Sequence, residues 1–519
     1  MCDQLRYDYL GCTGHPSIRT PNIDGLAARG VNFSRAYIQT PLCGPSRASY
    51  YTGRYMFCHG STWNGHPIRP DELTMGDYLR PLGERGVRVA LVGKIHMATD
   101  YPGLERLGAD LSKASGKYIE QCGFEPYVRD DGLHPDQIVS ADLAYNEYLR
   151  EQGYEGDNPW NSVANAASGE DGETLSGWHM RNSDKPAVVA DEHSETAYMT
   201  DRAMDFMEDA GDDAWCLHLS YIKPHWPYIV SAPYHDMYNS SDLTPVQRGN
   251  FERERPHPVH EAFMAASCSE TFARDEVRER VLPAYMGLIT QIDDHLGRLF
   301  AHMKDAGRME DTMIVFTSDH GDYLGDHWLG EKDTHFDPSI RVPMIVYDPS
   351  TEADATRGTV DDRLVESIDL IPTFYKALGG GTIPFRLEGR SLLPLIRGEE
   401  DVVWRDTAFC EMDYSQRDQV LRYLKIPPSQ CRGFIAITDQ WKYVIYEGFA
   451  PQLYNLKDDP QELNDLHTDP AYSFTKADLH EKIFKWLRQR HTRIMDNDED
   501  ILAIPELNDE AHGIFIGYW

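Results

Sequence analysis

The chain has 519 residues, 41% hydrophobic and 11% aromatic, enough for a large buried core and incompatible with a disordered chain. Lys and Arg number 50 against 84 Asp and Glu, a net charge of −34, so the surface repels polyanions and neither nucleic acid nor an anionic membrane is expected as a partner. With no run of eighteen apolar residues and no basic start leading into an apolar stretch, the sequence predicts no membrane span, no secretory signal and a cytoplasmic protein.

In chain order, residues 87–92 form a β-branched run ending at Gly93, and Trp215, Leu217, Leu219 and Tyr221 alternate as a strand does. Leu282, Met286, Ile289, Leu296, Leu299, Phe300 and Met303 recur at helical spacing, with Gly307 as the stop. Residues 313–317 and 343–347 read as strands, and 368–378, closed by three glycines, as a helix. This alternation predicts an α/β fold with a large mixed, mostly parallel sheet flanked by helices on both faces. Past residue 400, two strands at 434–438 and 441–446 turn at Asp439-Gln440, and Leu479, Ile483, Trp486 and Leu487 form one helical stripe. We therefore divide the chain into a catalytic α/β domain over 1–395, a small α+β domain with an antiparallel sheet over 396–495, and a tail over 496–519. The tail is acidic and then apolar, an expected contact in a homodimer or homotetramer.

Nine scattered cysteines without a C-x-x-C pair fit neither a disulfide scaffold nor a zinc finger. Between Asp24 and Asp71 the chain carries no Asp or Glu, while Arg29, Arg35, Arg47, Arg54 and Arg69 lie inside. Two readings stand: a buried segment rich in Gly and Tyr, or a local cationic pocket for an anion. Within it runs Cys43-Gly44-Pro45-Ser46-Arg47. A nucleophilic cysteine needs a lowered thiol pKa, for which an arginine four residues on and a helix starting after Pro45 are the available groups; a lone Cys near an Arg is more often structural. Lys94 and His96 follow the 87–92 strand, Lys223 and His225 the strand ending at Tyr221, and Asp319 and His320 the 313–317 strand, so three strands deliver polar residues to one sheet edge, where ligands gather in open α/β sheets.

The pattern C-x-P-S-R-x-x-x-x-T-G at 43–53 resembles the signature of the sulfatases, a family of the alkaline phosphatase superfamily. Asp3-Gln4, Thr20-Pro21-Asn22-Ile23-Asp24, Gly93-Lys94-Ile95-His96, Lys223-Pro224-His225-Trp226-Pro227, Ser318-Asp319-His320-Gly321, Lys332, and Leu453-Tyr454-Asn455-Leu456 with Asp459-Pro460-Gln461-Glu462 are similar to further segments of that family. The resemblance spans most of the chain and implies an alkaline phosphatase-like fold, a small anionic sulfate ester as substrate, and Cys43 converted to formylglycine by formylglycine-generating machinery. It implies one divalent cation, Ca2+ or alternatively Mn2+, held by Asp3, Gln4, the modified Cys43, Asp319 and His320. Arg47 would stabilise the hydrated aldehyde, Lys94 and Lys332 would clamp the sulfate, His96 would act as base, and His225 would protonate the leaving oxygen, with Lys223 in support.

Two features depart from the pattern. Gln4 stands where many sulfatases carry a second acid, as it does in bacterial choline sulfatases and phosphonate monoester hydrolases, which Ser231-Ala232-Pro233-Tyr234-His235 also resembles. The metal motif begins at Asp3, which in that family ends a buried strand, so about one further strand is expected ahead of it. The Lys94/His96 pair favours sulfate, because the phosphonate monoester hydrolases carry uncharged or hydroxyl residues there; phosphonate monoester or phosphate diester hydrolysis is the alternative, and a non-catalytic metal-dependent scaffold a third reading. Trp63, Asn64, His66 and Trp226 are the candidate leaving-group pocket.

Overall fold

The structure, a computed structural model, describes residues 1–132 and 143–490 together with 499, 501 and 502. Most of the tail expected to form an oligomer contact therefore lies outside the described residues.

A parallel sheet runs in the order Cys2–Asp3, Ala214–Pro224, Val87–Gly93, Glu125–Arg129. Strand Val87–Gly93, inside the sheet, carries the near-continuous apolar run that burial on both faces requires, interrupted only by Arg88. Alternation along Val87–Gly93 makes the two faces explicit. Val89 and Leu91 join one core with Tyr51, Met75 and Phe124, whereas Ala90 and Val92 join another with Met199, Phe206 and Leu299. Helix Cys43–Thr52 covers the first face; helices Glu195–Ala210 and Asp275–Asp305 cover the second. A bridge between Cys2 and Ser318 joins this sheet to a mixed one in the order Thr359–Asp361, Val31–Phe33, Met344–Tyr347, Ile314–Thr317.

The long helix begins at Asp275, well before the apolar pattern taken from Leu282, because Pro283 sits inside it and masks the start; Asp275 and Glu276 occupy the first turn, where acids favour the helix dipole. The antiparallel meander Ala408–Asp413, Arg432–Ile437, Trp441–Tyr446, Gln452–Asn455 packs against helix Ser473–Gln489 through Leu479 and Ile483. Its turn falls at the expected Asp439-Gln440, closed by the Thr438 N–H donating to the Trp441 carbonyl at 2.8 Å. Ile435 and Val444 belong to the same core as Leu91, so the C-terminal sheet shares one hydrophobic core with the parallel sheet.

Candidate active site

Asp3, Lys94, His96, His225, Asp319 and His320 all lie at or just beyond the C-terminal ends of strands, and helix Cys43–Thr52 aims its N-terminus at the same place. The helix begins at Cys43 rather than after Pro45. Proline is tolerated in a first turn because its missing N–H has no helical partner there. Leu42, extended, cannot cap with its side chain; Asn64 Oδ1 instead accepts the Gly44 N–H at 2.8 Å. All ten residues of this helix are buried.

Asp3, Cys43, Asp319 and His320 each present one donor atom, and these atoms lie within 4.8 Å of one another. Cys43 Sγ is 2.9 Å from His320 Nε2 and 3.9 Å from Asp3 Oδ1. His320 Nδ1 lies 2.8 Å from the Gly321 carbonyl, which fixes a proton there and turns Nε2 to the cluster. Gly321 is required because a Cβ would overlap the Pro338 carbonyl.

Arg47, fully buried, organises the carboxylates. Nε donates to Asp319 Oδ2 at 2.8 Å, Nη2 to Asp3 Oδ2 at 3.2 Å, and Nη1 to Ser220 Oγ at 2.8 Å and to the Lys94 carbonyl at 3.0 Å. One oxygen of each carboxylate is thus tied back, leaving Asp3 Oδ1 and Asp319 Oδ1 at 3.7 and 3.8 Å from His320 Nε2. Burial works to raise the Asp3 carboxyl, yet Lys94, His225 and Arg47 hold it well below the usual carboxylate range. Burial likewise works to lower His320, yet Asp319 and Cys43 push it up to about 9. A buried imidazole driven to hold a proton marks an electron-rich cage, and two carboxylate oxygens with one imidazole nitrogen fit a hard divalent cation.

Lys94 Nζ rests on Asp3 Oδ2 at 2.6 Å. Lys332 Nζ donates to Gln4 Oε1 at 2.9 Å and lies 3.3 Å from His225 Nε2. Gln4 also donates Nε2–H to Asp322 Oδ2, so its amide is locked in one orientation, with one carbonyl lone pair still directed elsewhere. His225 Nδ1 is 2.8 Å from the Trp226 carbonyl. Burial and Lys332 lower the pKa of His225, and burial and Lys94 that of His96, both well below the ordinary histidine value. His96 sits at φ 57°, a left-handed backbone that two hydrogen bonds to Asp131 Oδ1, from the Ile95 and His96 N–H groups at 2.7 Å, hold in place.

The acid-free window is not a free cationic pocket. Arg47 serves Asp3 and Asp319, Arg54 pairs with Glu72 and Glu388, and Arg35 with Asp439, so carboxylates from elsewhere answer these charges. The absence of local acids instead reflects burial of the segment. Of the expected leaving-group residues, Asn64 holds the helix start. Trp63 lies under the Arg417 guanidinium, 5.0 Å from ring centre, and His66 Nε2 is 2.9 Å from Gln416 Nε2, so a C-terminal loop meets this rim. Trp226 packs edge-on to Trp178 at 5.4 Å and beside His225 at 4.4 Å. Sequence reasoning missed Ser220, Asp131, Asp322 and Tyr228, whose hydroxyl donates to Asp322 Oδ2 at 2.7 Å. Each acts by orienting another side chain or backbone, a duty that leaves no spacing signal.

Residues 1–380 match the family model described as Sulfatase, and residues 325–489 that of N-sulphoglucosamine sulphohydrolase, C-terminal. The chain is 30% identical to a multifunctional alkaline phosphatase superfamily protein, PehA, of Trinickia caryophylli, over 93% of each chain. It is 26% identical to an arylsulfatase of Clostridium perfringens over 97% of each. The crystal structure of a phosphonate monoester hydrolase of Agrobacterium radiobacter superposes with a TM-score of 0.79 at 28% identity, covering 94% of both chains. With the cysteine-bearing helix, the carboxylate–imidazole cage and a family match over most of its length, the chain belongs to the sulfatases of the alkaline phosphatase superfamily and is a hydrolase of that family.

Proposed function

We propose that the protein hydrolyses sulfate esters at Cys43, converted to formylglycine. The observation that carries this reading is the placement of Cys43 Sγ, 2.9 Å from His320 Nε2, in a cage ringed by Lys94, Lys332, His96 and His225. Formylglycine, when formed, supplies a hydrated aldehyde whose hydroxyl is the nucleophile. Asp3, Asp319 and His320, with the Gln4 carbonyl, would hold a divalent cation, Ca2+ or alternatively Mn2+, which when bound supplies positive charge to the ester oxygens.

The chain's own residues do the rest. Arg47 keeps one oxygen of each carboxylate turned inward. The Lys94 and Lys332 ammonium groups offset charge on the non-bridging oxygens. His96, neutral because buried beside Lys94, is the base. Lys332 faces His225 Nε2, so the ammonium is the source of the proton that Nε2 takes up and passes to the leaving oxygen. The Trp63, His66 and Trp226 rim would receive the leaving group.

A second reading, phosphonate monoester or phosphate diester hydrolysis, is favoured by Gln4 and by the likeness to the Agrobacterium radiobacter enzyme. Mass spectrometry of tryptic peptide 36–47 from the native host tests the nucleophile: replacement of the thiol mass by an aldehyde or its hydrate supports it, and a uniformly intact cysteine rejects it. Turnover of aryl sulfate, phosphate diester and phosphonate monoester on one preparation tests the ester, with preference for either phosphorus ester overturning the first reading.

A further inference from the structure

Lys223 is buried although the reading above gives it no contact with the ester. Its ammonium group donates to Asn165 Oδ1 at 2.8 Å and to the Pro227 carbonyl at 2.9 Å. The second contact closes a loop of five residues, 223–227, on itself, with His225 at the centre. The His225 backbone N–H donates to the carbonyl of Ile222, just ahead of that loop, at 3.2 Å, and Nδ1 faces the Trp226 carbonyl, so the Pro227 anchor fixes which way Nε2 points.

A buried ammonium needs a counter-charge. Glu195, also buried, stands at the start of helix Glu195–Ala210. Its Oε1 accepts the Trp160 Nε1–H at 2.7 Å, whereas Oε2 is buried without a hydrogen-bond partner. Both Glu195 and Lys223 line a cavity of about 20 Å³, with Asn165, Ser194, Ser231 and Gln291. Burial lowers Lys223 to about 8 and raises the Glu195 carboxyl, and each group opposes the other's shift, as oppositely charged partners do. An uncharged lysine would hold the Pro227 carbonyl with a weaker, neutral hydrogen bond.

We propose that Glu195 and Lys223 are a positioning pair: the carboxylate holds the ammonium across the cavity, and the ammonium holds the 223–227 loop so that His225 Nε2 stays aimed at the leaving oxygen. This rests on the reading of His225 as proton donor. Neither residue touches the ester, so the effect falls on proton delivery alone, and proton delivery matters most where the leaving group is poor.

The test is steady-state kinetics of wild type, Glu195→Gln, Lys223→Met and His225→Ala with 4-nitrophenyl sulfate, whose leaving group needs little protonation, and unactivated phenyl sulfate. The same pair of phosphonate monoesters serves if those are the better substrates. Both positioning variants should lower the phenyl-to-nitrophenyl turnover ratio by about tenfold with KM unchanged, and His225→Ala by about a hundredfold. Glu195→Gln is isosteric and retains the Trp160 contact, so it decides the question should Lys223→Met fail to fold. If His225→Ala leaves the ratio unaltered, the proton-donor reading falls and the proposal with it. If His225→Ala lowers it but the positioning variants do not, or slow both esters equally, the proposal alone is overturned.

Discussion

Arg47→Met removes the group that ties the two cage carboxylates together. The side chain is fully buried and makes two ion pairs, at 2.8 Å to Asp319 and 3.2 Å to Asp3. After its loss Asp3 keeps Lys94 at 2.6 Å, but Asp319 is left with backbone N–H donors, Gln4 at 3.1 Å and His320 at 2.9 Å, and with the more distant His320 imidazole. One buried carboxylate therefore loses its close ion pair and keeps only the His320 imidazolium at 3.8 Å, which costs up to about 3–5 kcal/mol of stability. A divalent cation in the cage should repair much of that deficit, since at a hundredfold excess over its Kd a ligand bound only to the native state contributes about 2.7 kcal/mol, and loss of a neighbouring positive charge tightens its binding. Urea unfolding of wild type and variant, in chelator and in excess Ca2+ or Mn2+, measures both quantities. A loss below about 1 kcal/mol in chelator, under the cost of an unpaired buried charge, would refute the ion-pair reasoning, and equal losses with and without cation would falsify the cage.

Lys94→Ala should reduce sulfate turnover about a hundredfold, the scale of one lost donor at a developing anion; unchanged kinetics would reject Lys94 as a clamp. Asn64→Ala should cost about 1 kcal/mol, visible as a lower urea midpoint, because the Gly44 N–H loses its acceptor at a buried helix start. Glu411 gives a pH prediction away from the cage. Burial raises its carboxyl from 4.5 to about 7 despite Arg490. The folded state thus holds this proton more tightly than the unfolded chain. Its stabilisation is full below pH about 4.5 and is lost as pH rises through about 7, a change of about 3 kcal/mol. Denaturation midpoints across that range should lose this component in Glu411→Gln, and an unaltered slope would show that another group titrates.

Much of the site was legible because strands announce their own ends. The apolar run at 87–92 stops at Gly93, and the residues that follow, Lys94 and His96, stand at the sheet edge; the same holds for Asp319 and His320 after Ile314–Thr317. The helix at 195–210 leaves no such signal, because its first turns are buried nearly all round, which erases the 3.6-residue alternation that an amphipathic helix shows. The arginines of the acid-free window were visible, but their partners were not: Glu388 and Asp439 lie hundreds of residues away, and only the fold brings them close. Gln4 stands out in the sequence as a departure, but its double lock between Lys332 and Asp322 depends on a backbone at φ 67° that no local pattern encodes.

The burial of Cys43 has a consequence in time. The residue is 1% exposed, at the head of a helix with no exposed position, so no enzyme can reach its sulfur in the finished fold. If Cys43 is oxidised as proposed, the reaction must occur on a chain not yet closed. Closure at that sulfur needs His320, 277 residues later in synthesis, which at about 5–20 residues per second leaves roughly 15–55 s after Cys43 is made. The fraction of active enzyme is then set by a race between oxidation and folding, so slower translation or a destabilised early intermediate should raise the specific activity of the purified protein, and faster folding should lower it.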